Sequence, residues 1–158
     1  MTEAGDSDQP AASPAEASQE VPPFAYQLVD VYLHECSVER IESEDEGPDR
    51  PTFETGLETQ DRDEPPGFSA TLSVGVAFRF RPEARCEVHS KTTGIFVRIG
   101  DVGPDDDSRF RTTDCAVLLW PYARAMVGEI VRMTGLELPP LPTLDVRATL
   151  ANAAAAKA

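Results

Sequence analysis

The chain has 158 residues, enough for one domain of ordinary size with tails, and its hydrophobic fraction of 41% is slightly low for a compact domain. Its formal net charge is −14, which argues against nucleic acid and anionic membrane surfaces as partners, because both would repel it. The acidity is uneven: residues 1–66 hold 18 acids against 3 bases, whereas residues 67–158 hold 10 acids against 11 bases.

Residues 1–23 are rich in Ala, Ser, Pro, Asp and Glu and bury too little apolar surface to offset ordering entropy, so they read as a disordered acidic tail. They carry no basic-then-apolar leader, and no apolar run approaches a membrane span. A soluble cytoplasmic protein without direct membrane insertion is expected. Cys36, Cys86 and Cys115 are an odd set without framework spacing, which suits buried thiols in a reducing compartment.

The folded domain is expected over 24–158. Residues 24–41 are rich in β-branched and aromatic side chains and read as a long strand, but its apolar residues keep no single parity. An acidic loop, 42–51, and a short extended piece, 52–60, follow. Residues 68–80 are the clearest strand, with Phe68, Ala70, Leu72, Val74, Val76, Phe78 and Phe80 on one face and Ser69, Thr71, Ser73, Gly75, Ala77 and Arg79 on the other. Pro82 ends it. A fourth strand, 84–99, is paired antiparallel because the connections are too short for crossover helices, and Gly94 suggests a bulge or kink.

Residues 100–109 read as a turn. A helix is predicted over 112–134, capped by Thr112 or Thr113, with Leu118, Tyr122, Met126 and Ile130 four apart and Leu119, Ala123 and Val127 beside them. Pro121 lies inside it, between Trp120 and Tyr122. Gly135 ends it, an extended proline-rich stretch follows, and 147–158 read as a short helix. Four strands followed by helices imply an α+β fold: a four-stranded antiparallel sheet with a long kinked helix and a short C-terminal helix on one face.

Three matches to a known family carry the helix and its surroundings: Leu118-Leu119-Trp120-Pro121-Tyr122-Ala123-Arg124 in the helix, Leu138-Pro139-Pro140-Leu141-Pro142 after it, and Val31-Tyr32 with Ser37-Val38-Glu39 in the first strand. A fourth is Cys86-Glu87-Val88 followed by Gly94-Ile95-Phe96. Together they resemble SecB, the bacterial protein-export chaperone family, from about residue 26 to 148. The resemblance implies a homotetramer, a dimer of dimers, that holds unfolded precursor proteins and delivers them to the SecA motor, with no reaction and no cofactor. It implies client binding on exposed apolar residues, for which Phe68, Phe78, Phe80, Phe96, Trp120, Leu136, Leu138 and Leu141 are candidates. It implies SecA binding through Glu35, Glu39 and Glu87 on the solvent face of the sheet. Cys86, Val88, Trp120, Tyr122 and Met126 are candidates for the oligomer interface. Bending at Pro121 is expected to splay Trp120 away from the stripe through Tyr122 and Met126.

Three features depart from the family pattern. Five residues separate Val88 from Gly94, Arg85 stands where the family is apolar, and the C-terminus is short and alanine-rich instead of acidic. A SecB-like chaperone dedicated to one client, such as an antitoxin, and a non-chaperone adaptor are the alternatives. An enzyme is the remaining rival. His34 with Cys36, or Cys86 with His89, lack the tight spacing of zinc sites. Cys115 at a helix start would have a lowered pKa if it served as a nucleophile. No catalytic residue and no metal ligand is assigned.

Overall fold

The computed structural model describes residues 25–42, 51–82, 84–136, 141 and 145–155. The expected tail, 1–23, and the candidate Leu138 lie outside them. The strands are β1 (Tyr26–Glu42), β2 (Thr52–Arg62), β3 (Gly67–Arg81) and β4 (Ala84–Arg98). They form one antiparallel sheet in the order β1-β4-β3-β2. Three helices follow, α1 (Pro104–Arg109), α2 (Cys115–Met133) and α3 (Val146–Ala155), with a wide π-helical turn, Phe110–Asp114, joining α1 to α2.

β3 alternates as its sequence demands: Phe68, Ala70, Leu72, Val74, Val76 and Phe78 are buried under the helices, and Phe80 is half-buried at the strand's end. β1 mixes its parity for a physical reason. Val29 and His34 are extra residues with no partner on β4. Each bulge flips the alternation, so the helix-facing residues are Leu28, then Val31 and Leu33, then Cys36 and Val38, opposite Phe96, Gly94, Thr92, Ser90 and Val88.

The bulge expected at Gly94 is therefore misplaced. Gly94 pairs regularly with Val31 and Ala70. What requires glycine is the helix above: a Cβ there would lie 2.4 Å from Leu119 Cδ2. The missing side chain lets α2 approach the sheet.

The helix begins earlier than its sequence suggested. Pro104 opens α1 with Asp105, Asp106 and Asp107 in the first turn, where a fixed φ and negative charge both favour initiation. Thr112 caps nothing; its hydroxyl donates back to the Ser108 carbonyl at 2.8 Å. Gly135, at φ 74°, terminates α2, and its amide bonds the Arg132 carbonyl at 3.0 Å. α3 is capped by Asp145, whose carboxylate accepts from the Ala148 amide at 3.1 Å. It docks on β2 and α2 through Val146 and Leu150. Arg147 also ties it to Asp114 of the π-helical turn at 2.8 Å.

One end of the core is closed by rings. Phe68 and Phe96 stack with centroids 5.0 Å apart, and Tyr26 and Phe110 pack against Phe68 at 5.0 and 6.1 Å. The Arg111 guanidinium lies 4.7 Å over the Phe68 ring. It also pairs with Asp61 and with Asp107, the latter at 3.0 Å. The Tyr26 hydroxyl donates to Asp107. Residues from β1, β2, α1 and the π-helical turn are thereby fastened together.

Candidate functional surfaces

α2 carries two apolar faces. The first is set by Ala116, Leu119, Trp120, Ala123, Val127 and Val131, all buried against the sheet. The second is Leu118, Tyr122, Met126, Ile130 and Met133, spaced by four and then three residues. Leu118 is 46%, Tyr122 47% and Met133 85% exposed; Met126 and Ile130 are half-buried. The sequence reading took a stripe that mixes the two faces. A helix apolar on both sides presents periodicity that does not say which side the core takes.

The helix continues through Pro121, which is exposed on its outer side. Trp120 points the other way from Tyr122 and is 8% exposed within the core. The Val117 carbonyl loses its α-helical amide partner at Pro121.

Phe68, Phe78 and Phe96 are fully buried, and Leu141 is buried with Trp120. Within the single chain these five client-binding candidates present almost no surface: strand parity aims the three phenylalanines at the core and helix phase aims Trp120 there. Phe80 and Leu136 remain partly accessible. Phe80 is an extra residue at the end of β3, with the Arg40 guanidinium 5.8 Å from its ring. Arg40 also donates to the Thr134 carbonyl at 2.8 Å, so Phe80 sits near the end of α2. Cys86 and Val88, expected at a subunit interface, are fully buried beneath α2.

The acids fall where the alternation put them. Glu35 and Glu39 pair across β1–β4 with Lys91 and Glu87, on the face of the sheet away from the helices. Two of the three are ion-paired: Glu35 accepts from Lys91 at 2.7 Å, and Glu87 lies 3.0 Å from Arg85 and 3.9 Å from His89. The Lys91 hydrogen bond, and then its charge, hold the Glu35 carboxyl below its usual range. Gly75, Ala77, Glu54, Arg79 and Glu87 border a shallow cleft of about 280 Å³ on this face.

Of the three thiols expected to be buried, Cys86 and Cys115 are buried and Cys36 is exposed. Cys115 lies inside a continuous helical stretch, not at its start, and its thiol donates to the Arg111 carbonyl at 3.2 Å. Burial pushes its pKa up to about 12, the opposite of an activated nucleophile. Among the described residues no three His, Cys, Asp or Glu side chains come together as a metal site.

Sequence reasoning missed the exposed β1 residues Val29, Tyr32 and Leu33, and the Tyr26–Asp107–Arg111–Asp61 cluster. The first is hidden by the bulges. The second joins residues up to 85 apart in the chain, a distance no local pattern spans.

Residues 17–155 match the family described as Preprotein translocase subunit SecB. No curated protein matches the chain in sequence. In fold it is similar to the Mycobacterium tuberculosis Rv1957 SecB-like chaperone, solved in complex with a ChAD peptide from the Rv1956 HigA1 antitoxin. That likeness has a TM-score of 0.57 at 15% identity and covers 77% of this chain and 91% of the other. Among the described residues no helix is long and apolar enough to cross a membrane.

Proposed function

The chain belongs to the SecB family of chaperones, and from that premise we propose that it holds non-native polypeptides in the cytoplasm as a homotetramer and delivers them to SecA. The observation that carries holding and assembly is the second apolar face of α2, with Val29, Tyr32 and Leu33 exposed on β1. A folded monomer rarely leaves so many large apolar side chains open, and covering them is worth roughly 25 cal/mol per Å². Tyr122 and Met126 fit an interface between copies. Phe80 and Leu136 fit client contact; Trp120 and Leu141 would act from beneath the surface. SecA docking is assigned to Glu35, Glu39 and Glu87.

A second reading is a chaperone dedicated to one client, such as an antitoxin. It is favoured by the ion pairs of Glu35 with Lys91 and Glu87 with Arg85, which neutralise two of the three acids SecA would need. The similar fold of a chaperone bound to an antitoxin peptide is compatible with it.

Light-scattering mass on a sizing column, with and without a chemically unfolded precursor, tests the shared core of both readings. A tetramer that takes up the unfolded chain and ignores its folded form supports holding. A single chain that takes up nothing removes it. Adding SecA to the loaded complex separates the two readings, since only the export reading expects a ternary complex.

A further inference from the structure

The stretch between Val88 and Gly94 puts two cationic side chains, His89 and Lys91, among the acids on the solvent face of the sheet. Lys91 is held by Glu35. His89 is exposed and belongs to no part of the core, so the fold does not account for it.

Its setting is created by Gly75, its register partner on β3. A Cβ on Gly75 would lie 3.3 Å from His89 Nδ1, 3.5 Å from its Cε1 and 3.5 Å from Glu54 Cβ. The missing side chain lets the imidazole lie across β3 towards the strand that carries Glu54. Its Nε2 is 3.9 Å from Glu87 Oε2. The ring therefore stands between Glu87 of β4 and Glu54 of β2, in the cleft that Arg79 and Arg85 also line.

The other charges facing it are fixed near neutral pH. On β4, Arg85 pairs with Glu87 at 3.0 Å, and Lys91 with Glu35 at 2.7 Å. On β1, Ser37 is its register partner and Glu39 stands opposite Glu87. On β3, Arg79 is opposite Arg85. On β2, Glu58 lies beyond Glu54 and acts on Lys91 through its charge. Arginine and lysine ordinarily titrate far above neutrality and carboxylates well below it, whereas histidine changes charge between about pH 5 and 8. The chain's other histidine, His34, is an extra residue of β1. Its charge is the least of the causes acting on Glu35.

We propose that His89 is a pH-operated counter-charge on this face: protonated, it pairs with Glu87, offsets Glu54, and weakens a partner that docks a basic surface on these acids. The proposal rests on the SecA reading and adds how that contact is regulated. Glu35 is already occupied by Lys91, and Glu87 is shared with Arg85. A further cation between Glu87 and Glu54 removes more of the negative potential that would attract a basic partner. Docking therefore weakens as pH falls through the histidine range and recovers as the imidazole loses its proton. Client holding uses apolar surface and is untouched.

The test measures SecA affinity of the full chain at pH 7.5 and pH 5.5 for the parent, His89→Gln, His89→Lys and His34→Gln. SecA's own response to pH is common to all four. On acidification the parent should weaken by at least about threefold more than His89→Gln, a change of the size that one exposed charge pair produces. His34→Gln should follow the parent. His89→Lys should bind at least about threefold more weakly than the parent at pH 7.5 and should lose no more than His89→Gln on acidification. Uptake of an unfolded precursor should not separate the four proteins at either pH. The His89 ring resonances, identified by their loss in His89→Gln, should titrate over the interval in which the affinity falls. Equal pH responses of the parent and His89→Gln, a response abolished by His34→Gln instead, or a ring that titrates outside that interval would overturn the switch and leave SecA docking in place. A parent that does not bind SecA at pH 7.5 would remove the export reading and the switch with it.

Discussion

The two apolar faces of α2 are similar in composition and opposite in circumstance. On the sheet side, Leu119, Ala123, Val127 and Val131 are fully buried, and Leu119 fills the space that Gly94 leaves open. On the other side, Leu118 and Tyr122 are close to half exposed one helical turn apart. The fold of one chain explains the first face completely. Among the described residues nothing covers the second face; in the proposed reading a copy or a client does.

Neighbouring leucines make the sharpest break in this comparison. Leu119→Ala should destabilise the folded chain by about 2–5 kcal/mol, the range for a buried leucine. Leu118→Ala should change the stability of the isolated chain by less than about 0.5 kcal/mol and yet reduce the assembled mass. Denaturant unfolding at low protein concentration reads the first effect and light scattering the second. Equal destabilisation by the two would mean that both faces belong to the core. Trp120→Ala belongs with Leu119: at 8% exposure it should lose about 3–5 kcal/mol of stability, so any weakened client binding in that variant would report unfolding as well.

Two glycines divide in the same way. Gly94→Ala places a Cβ 2.4 Å from Leu119 Cδ2 and 3.0 Å from Leu28 Cδ1, and overpacking of this kind costs about 1–3 kcal/mol. Gly128 of α2 has nothing within 4 Å of an added Cβ, so Gly128→Ala should stabilise by up to about 1 kcal/mol through helix propensity. Thermal unfolding of the two variants should move in opposite directions. A stabilising Gly94→Ala would show that the helix does not need this close approach.

The contrast also shows where the sequence was readable. β3 declared its buried face because its alternation is unbroken from Phe68 to Phe78. β1 hid its face because bulges at Val29 and His34 each shift the parity, and a bulge has no local residue signature here. The start of the helix was hidden by Gly-Asp-rich residues that resemble a turn, although Pro104 and the three following aspartates also make an N-terminus. α2 was recognised as a helix, but its phase was not, because both its faces are apolar. The resemblance put the three acids on the solvent face of the sheet, and the strand register sets Glu35, Glu39 and Glu87 there together. The ion pair of Glu35 with Lys91 was invisible because it depends on cross-strand register, whereas that of Glu87 with Arg85 joins residues two apart on β4 and went unread.

Those ion pairs set the next expectation. Reversing Glu35 and Glu39 to lysine removes the partner of Lys91 and leaves an excess of positive charge on a solvent-exposed face. Pairs this open to solvent add little to stability, so the fold should survive and client uptake should persist. SecA binding, in the export reading, should weaken by about tenfold or more. Unchanged SecA affinity would remove these residues from the docking surface and favour the dedicated-client reading.

The smallest expected effect concerns the clasp at the aromatic end. The hydrogen bond from Tyr26 holds the Asp107 carboxyl below its ordinary value of 3.8, and the hydrogen bond and charge of Arg111 lower it further. Because the folded pKa is depressed, the stability contributed by ionised Asp107 is fully present above the ordinary carboxylate value. It is lost as pH falls through the folded one. Arg111 stays charged throughout this window, so its attraction to Asp107 fades only through the carboxylate. Asp107→Asn should therefore be less stable than the parent at pH 7, and the gap should narrow below about pH 4. Because Asp107 is partly open to solvent, screening keeps the gap small. Chemical unfolding of both proteins at pH 7 and pH 3 measures it, and a gap that stays constant or widens on acidification would show that Asp107 does not act through its charge.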